Sequence, residues 1–292
     1  MIGRRAYGLC DFLVSEVGLG AAQIGNPQLD DRSVASLLDL ALESGVTLFD
    51  TAPSYGHSED RLGKFIQHKR HKIIVSTKFG YGVDGIADWT GPCVSAGIDQ
   101  ALKVLRTDFI DIAHLHSCPQ VVLEEGSVIE ALADARRQGK VRAIAYSGDG
   151  DALAFALGCG EFDGFMASFN VCDQRVRREV FPVLAGRGFI AKRPLANSVW
   201  RHQVQPIGEY GEPYWLRLQK MRLSTGDCGW GETALRFVLV EPTLSSAIVG
   251  TGNSAHLLEA LSWSKAGVLP PARTSEIRDA FEKNDVDWVG QV

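Results

Sequence analysis

Four residue types suited to proton transfer stand where short apolar runs give way to polar residues. Asp50 closes "TLFD", and Tyr55 follows five positions later in "LFDTAPSYG". Lys78 stands near the end of "KIIVSTKFG", and the run "FIDIAHLH" ends on His114-Leu115-His116. A carboxylate, a phenol, an ammonium and an imidazole brought to one place can hold, orient and pass a proton. Taken singly, each has a plain structural reading. An aspartate after a strand is commonly a cap, a lysine beside it an ion-pair partner, and a strand histidine a satisfied core group. What matters is whether the chain brings the four together.

The surrounding elements say that it does. In "DRSVASLLDLALESGVTLF", Val34, Leu37, Leu38, Ala41 and Leu42 fall on one helical face. Asp30 or Asp31 can cap the first turn, Gly45 is the stop, and the β-branched "VTLF" reads as a buried strand. The same helix-Gly-strand order recurs with Gly139 before "VRAIAYSG" and with Gly188 before "FIAKRP", and "ETALRFVLVEPTL" leads to "SSAIVGTG". With "EVGLG", "KIIVSTKFG", "FIDIAHLH" and "DGFMASFN" there are eight short apolar strands. Strand starts near residues 46, 73, 109, 141, 164 and 189 are spaced like βα units. Eight such units predict a parallel (β/α)₈ TIM barrel, with "AYGLCDFLVSEVGLG" as an N-terminal hairpin closing the barrel bottom. A doubly wound sheet is disfavoured, because no GxGxxG turn follows an early strand and "GLGAAQIG" lacks the spacing. In a barrel the strand C-termini share one face, so the acid, the lysine and the histidines of three neighbouring strands converge there.

Bulk properties are consistent with this reading. A chain of 292 residues, 45% hydrophobic and 22% charged, suits one barrel domain over residues 1–292. The net charge of −5 gives no nucleic-acid footprint. No apolar run reaches membrane-span length, and no sustained apolar stretch follows Arg4-Arg5, so neither a membrane anchor nor a secretory leader is expected. Six scattered cysteines without a CxxC pair read as reduced thiols in a cytoplasmic protein. Cys118 and Cys172 follow strand ends, and packing is the favoured reading for both. The stretch from Ala196 to about Cys228 is too long for a simple βα connection and is a candidate substrate-binding or lid element.

"GVTLFDTAPSYGHSEDRLGKFI", "IIVSTKFG" and "LRTDFIDIAHLHSC" resemble the three signature regions of the aldo-keto reductase superfamily. "LVSEVGLG" and "VGTGNSAHLLEAL" resemble its first strand and its cofactor loop, so the likeness covers roughly residues 7 to 262. The resemblance implies a (β/α)₈ barrel, a nicotinamide dinucleotide bound extended, and a catalytic set of Asp50, Tyr55, Lys78 and His116. In that reading Tyr55 is the general acid, tuned by Lys78 and Asp50. His116 orients the carbonyl, and the cofactor supplies the hydride that no side chain can. His114, two residues away on the same strand face, is expected deeper in the barrel.

The implied cofactor contacts are Gly20, Ala21, Ala22 and Asp50 at one end, with Ser147 for the carboxamide. Met166 stands in place of the family's glutamine. Lys192 and Arg193, followed by Pro194 and Leu195, stand where an aromatic residue normally stacks, and a cation there can face the ring or the pyrophosphate. Around the adenosine phosphate fall Gly250, Thr251, Asn253, His256 and Glu259, where the family commonly has lysine and arginine. NADPH is the expected cofactor, by family, with NADH as the alternative. A small carbonyl, alcohol or sugar is the expected partner, in a pocket lined by Trp89, Trp200, Tyr214 or Trp215, and a monomer is the default state. Two rival functions are a nicotinamide-binding sensor with little turnover and a metal-dependent hydrolase using His114 and His116.

Overall fold

The computed structural model describes residues 2–286 and residue 291. Its chain begins with a hairpin of β1 (Arg4–Ala6) and β2 (Leu13–Ser15). Eight parallel strands follow: β3 (Val17–Gly20), β4 (Leu48–Asp50), β5 (Ile74–Phe79), β6 (Ile110–His116), β7 (Val141–Ser147), β8 (Gly164–Ser168), β9 (Gly188–Lys192) and β10 (Ser246–Gly250). They pair in chain order, and β10 closes on β3 with Gly250 opposite Gly20. This is a (β/α)₈ barrel, and all eight strands are those expected from the apolar runs.

Alternation along each strand divides the core in two. Leu48, Ile74, Ile112, Ala143, Ala145, Met166, Ile190 and Ile248 fill the barrel interior, while a larger apolar shell lies between the strands and the outer helices. The hairpin contributes Tyr7, Phe12 and Val14 to the interior group, and Arg5 ties it down by donating to the carbonyls of Leu239, Glu241 and Leu244. It therefore plugs the end of the barrel opposite the strand C-termini.

Two local expectations are corrected. Gly188 is the first residue of β9, and the turn before it is made by Gly186 at φ +77°. The segment ahead of it forms only the short helix Val176–Glu179 and a 3₁₀ turn over Phe181–Val183, because Pro182 cannot donate to a helical ladder. Within the long stretch after β9, Glu212–Met221 is a helix whose buried face carries Tyr214, Arg217, Leu218 and Met221. Tyr214 is thus a packed core residue and does not line an open pocket.

The loop after β8 buries Asp173 with its Oδ1 3.4 Å from Arg175 Nε. Burial pushes its carboxyl up to about 6, against the pull of Arg175. A carboxyl raised on folding stabilises the fold below its unfolded pKa, and that contribution is lost as pH rises through about 6. Asp173→Asn is therefore expected to gain stability over the wild type between about pH 4 and pH 8, by about 3 kcal/mol. Denaturant unfolding at both values measures the gain, and a difference independent of pH would refute the linkage.

Candidate active site

The register of the barrel carries Asp50, Lys78 and His116 to one end. Asp50 pairs with Gly20 on one side and Ser76 on the other, and Lys78 pairs with His114. Asp50, Ser76, Lys78, His114 and His116 alternate inward, the first four of them buried. Lys78 Nζ donates to Asp50 Oδ2 at 2.7 Å and to the Thr51 carbonyl at 2.8 Å. The other oxygen, Asp50 Oδ1, accepts from Ser76 Oγ at 2.8 Å, and Ser76 Oγ lies 3.0 Å from His114 Nε2. His114 is fully buried and takes its place beneath the mouth, as its position two residues inside the strand end requires.

Tyr55 reaches the same point from the loop after β4. Its N–H donates to the Ala52 carbonyl, closing the turn, and its ring sits with Lys78 Nζ 4.9 Å from the centroid. The rest of the "PSYGHSEDR" stretch holds that turn in place. Ser58 Oγ donates to the Ala21 carbonyl, and the Arg61 guanidinium donates to the carbonyls of Ile24, Asn26 and Leu29. Gly25 is needed here, since a Cβ on it would fall 1.7 Å from the Tyr55 carbonyl oxygen. Glu59, also buried, accepts from Thr77 Oγ1 at 2.6 Å.

The electrostatics follow from burial and two ammonium groups. Burial raises the Tyr55 phenol above its ordinary value, and Lys78 pulls the other way without overcoming it. Burial alone would lower Lys78, but Asp50 and Tyr55 reverse the sign and hold its ammonium charged above the ordinary lysine value. Desolvation, with Lys78 and Lys192 nearby, lowers His116 to about 3 and His114 well below the ordinary histidine value. At neutral pH the mouth therefore holds a protonated phenol, an ammonium–carboxylate pair and two neutral imidazoles. Among the described residues no group of three or more His, Cys, Asp or Glu side chains is placed to hold a metal ion. Cys118 and Cys172 are buried thiols, pushed up by burial, Cys118 to about 12, so neither is a thiolate.

Beside Tyr55 and Asp50 opens a cavity of about 380 Å³. Its lining includes Gly20, Ala22, Asp50, Arg193, Pro194, Leu195 and Gly250, all expected cofactor contacts. The cleft between β3 and β10 is built for close approach: a Cβ on Gly250 would fall 2.8 Å from the Gln23 amide oxygen, and one on Gly20 would fall 3.2 Å from Gly250 Cα. The two glycines thus let β3, β10 and the Gln23 side chain close together, and the cavity beside them presents the Arg193 guanidinium and the Gln23 amide, groups able to meet the phosphates and amides of a dinucleotide.

A family model described as "Aldo/keto reductase family" matches residues 16–282. The chain belongs to that family. L-galactose dehydrogenase of Arabidopsis thaliana is 30% identical over 279 residues, 87% of this chain and 86% of its own. D-threo-aldose 1-dehydrogenase of a Pseudomonas species is 28% identical over 311 residues, 91% of this chain and 94% of its own. The fold of this aldo-keto reductase superposes on the holo form of AKR11C1 from Bacillus halodurans with a TM-score of 0.83, at 23% identity and 96% coverage of both chains.

The remaining expected residues of this aldo-keto reductase divide by place. Lys192 faces the mouth, its Nζ 2.8 Å from Asp149 Oδ2. Arg193, at φ +56° and lining the cavity, donates to Ser168 Oγ, the Gln291 carbonyl and Tyr210. Thr251 and Asn253 shape the loop after β10, where Asn253 caps the helix Ser254–Lys265 by accepting from the Ala255 N–H. His256 and Glu259 are exposed on that helix, Ser147 is buried at the end of β7, and Ala21 is buried with its backbone bonded to Asp50 and Ser58. Met166 departs from expectation: it packs among Ile190, Ile248 and the other interior side chains instead of lining the cavity.

Of the aromatic candidates, Trp89 comes to the site, its ring 5.4 Å from Tyr81, which stacks on His116. Trp200 stacks on Trp230, and Trp215 donates to the His202 carbonyl; neither is among the residues lining the cavity beside Tyr55. Gln23, Asn197, Ser198 and Tyr81 are site residues that the sequence reading did not find. They lie on loops outside any periodic pattern, although the "KFGY" continuation of β5 placed Tyr81 only three residues after Lys78.

Proposed function

We propose that this aldo-keto reductase interconverts a carbonyl and an alcohol with a nicotinamide dinucleotide, Tyr55 serving as the proton donor. The Asp50–Lys78 pair set against Tyr55 is the observation that carries the reading. Lys78, held charged by Asp50, meets the negative charge that forms on Tyr55 as its proton leaves. His116, neutral and at the rim, donates one hydrogen bond to the substrate oxygen and fixes its approach to Tyr55. Gly20, Ala22, Gly250 and the Arg193-Pro194-Leu195 turn would hold the dinucleotide, which supplies the hydride when bound. Burial of the mouth strengthens each of these interactions by excluding water.

The substrate reading rests on the relatives' names. Two that match nearly end to end are named as sugar dehydrogenases, so aldoses head the panel, followed by aldehydes and ketones. NADPH remains the proposed cofactor, by family, and the loop around Thr251 and Asn253 offers hydroxyl, amide and helix N-terminal donors to a phosphate in place of lysine and arginine. The expected result is turnover of at least one sugar or carbonyl, followed through the absorbance of the reduced nicotinamide, with NADPH binding tighter than NADH. No turnover with either cofactor across the panel would sink the enzymatic reading, and equal or tighter NADH binding would reverse the preference.

A further inference from the structure

We propose that Tyr81 is a positioning residue that fixes which nitrogen of His116 carries the proton, donating its hydroxyl hydrogen to Nδ1 and leaving Nε2–H directed at the substrate oxygen. This inference rests on the proposed role of His116. A neutral imidazole has one N–H, so only one of its two tautomers can donate from Nε2. The His116 ring is held neutral by burial and by Lys78 and Lys192, so a second proton cannot rescue the wrong tautomer near neutral pH.

The geometry selects the tautomer. Tyr81 Oη lies 2.8 Å from His116 Nδ1 and 3.3 Å from Ser54 Oγ. Its single proton thus has two acceptors in reach, and the nearer is also the more basic. With Nδ1 accepting, Nε2 must carry the hydrogen, and the ring's hydrogen bond among the described residues is the one to Nδ1. The phenol is itself held in register. Its ring stacks on the imidazole at 5.5 Å between centroids and 24° between planes, and the Trp89 ring packs against it, tilted by 58°, at 5.4 Å. Trp89 reaches that place across Gly80, at φ +133°, where a Cβ would fall 2.3 Å from the indole ring. The end of β5 therefore provides Lys78 for one partner of the mouth, and the loop after it provides Tyr81 for the other.

Tyr81→Phe keeps the stack and deletes one hydroxyl, so it tests the idea without a cavity. Nitrogen-15 NMR of the unliganded protein, with the His116 signals assigned by their loss in His116→Gln, reads the tautomer directly and independently of turnover. The wild type is expected to show protonated Nε2 and bare Nδ1, and Tyr81→Phe a mixture of the two forms. Its kcat/KM should fall roughly tenfold, the worth of one hydrogen bond, with cofactor affinity unchanged. A wild-type ring protonated on Nδ1, or an unchanged Nε2–H form in Tyr81→Phe, overturns the proposal. A changed tautomer with undiminished turnover upholds the role of Tyr81 and instead removes His116 from the proposed chemistry.

Discussion

Tyr55→Phe is expected to lower kcat by roughly 10²- to 10⁴-fold, the range for loss of a general acid, while cofactor affinity changes little. The substitution removes one oxygen and leaves the ring, which stands over Lys78 and edge-on to His116 at 6.0 Å. Lys78 keeps both of its firm acceptors, Asp50 Oδ2 and the Thr51 carbonyl, so the charge pattern of the mouth survives. In the proposed mechanism the phenol acts only as the substrate oxygen gains charge, so kcat and kcat/KM should fall together. The pH profile of the wild type carries the same assignment. Burial holds the phenol above its ordinary value, so the protonated donor persists through neutral and mildly alkaline pH and is lost only as pH climbs past it. His116, lowered to about 3, should add no acid limb near the usual histidine value. Wild-type turnover in Tyr55→Phe would displace the phenol from the mechanism, and a limb near pH 6.5 would mean that His116 is not held neutral.

Much of this site could be read from residue order because it sits on strand ends. A strand end in a closed barrel has a fixed place, so Asp50, Lys78 and His116 had to converge once eight βα units were recognised. The same periodicity put His114 below His116. Loop residues carry no such constraint. Tyr81, Gln23 and Asn197 reach the site along paths set by tertiary contacts, and Asn197 and Ser198 do so with positive φ, which nothing in their order announces. Tyr214 misled because an aromatic residue in a long connection can face a pocket or a core, and only the helix Glu212–Met221 decides which. Gly188 misled because two glycines stand two apart, and the turn uses the first. The net direction of the Tyr55 shift was also hidden: sequence supplies the neighbouring ammonium, but how deeply the phenol is buried is a property of the fold.

Lys78→Met should abolish most turnover at every working pH and also destabilise the fold, and a second variant separates the two losses. Lys78 and Asp50 are 3% and 2% exposed, so removing the lysine leaves a buried carboxylate with Ser76 Oγ as its remaining partner. Breaking a buried pair from one side typically costs about 3–5 kcal/mol. Pairing the change with Asp50→Asn removes the stranded charge, and stability should return to within about 1–2 kcal/mol of the wild type. Activity should not return with it. Without the ammonium, burial acts on the phenol unopposed, and the charge left on Tyr55 after proton transfer has no counter-ion. The double variant should therefore unfold near the wild-type denaturant midpoint yet stay at least a hundredfold down in kcat, to an order of magnitude about the value of a well-placed charge. If restoring stability also restores turnover, Lys78 only holds the barrel mouth together, and the tuning of Tyr55 must come from elsewhere.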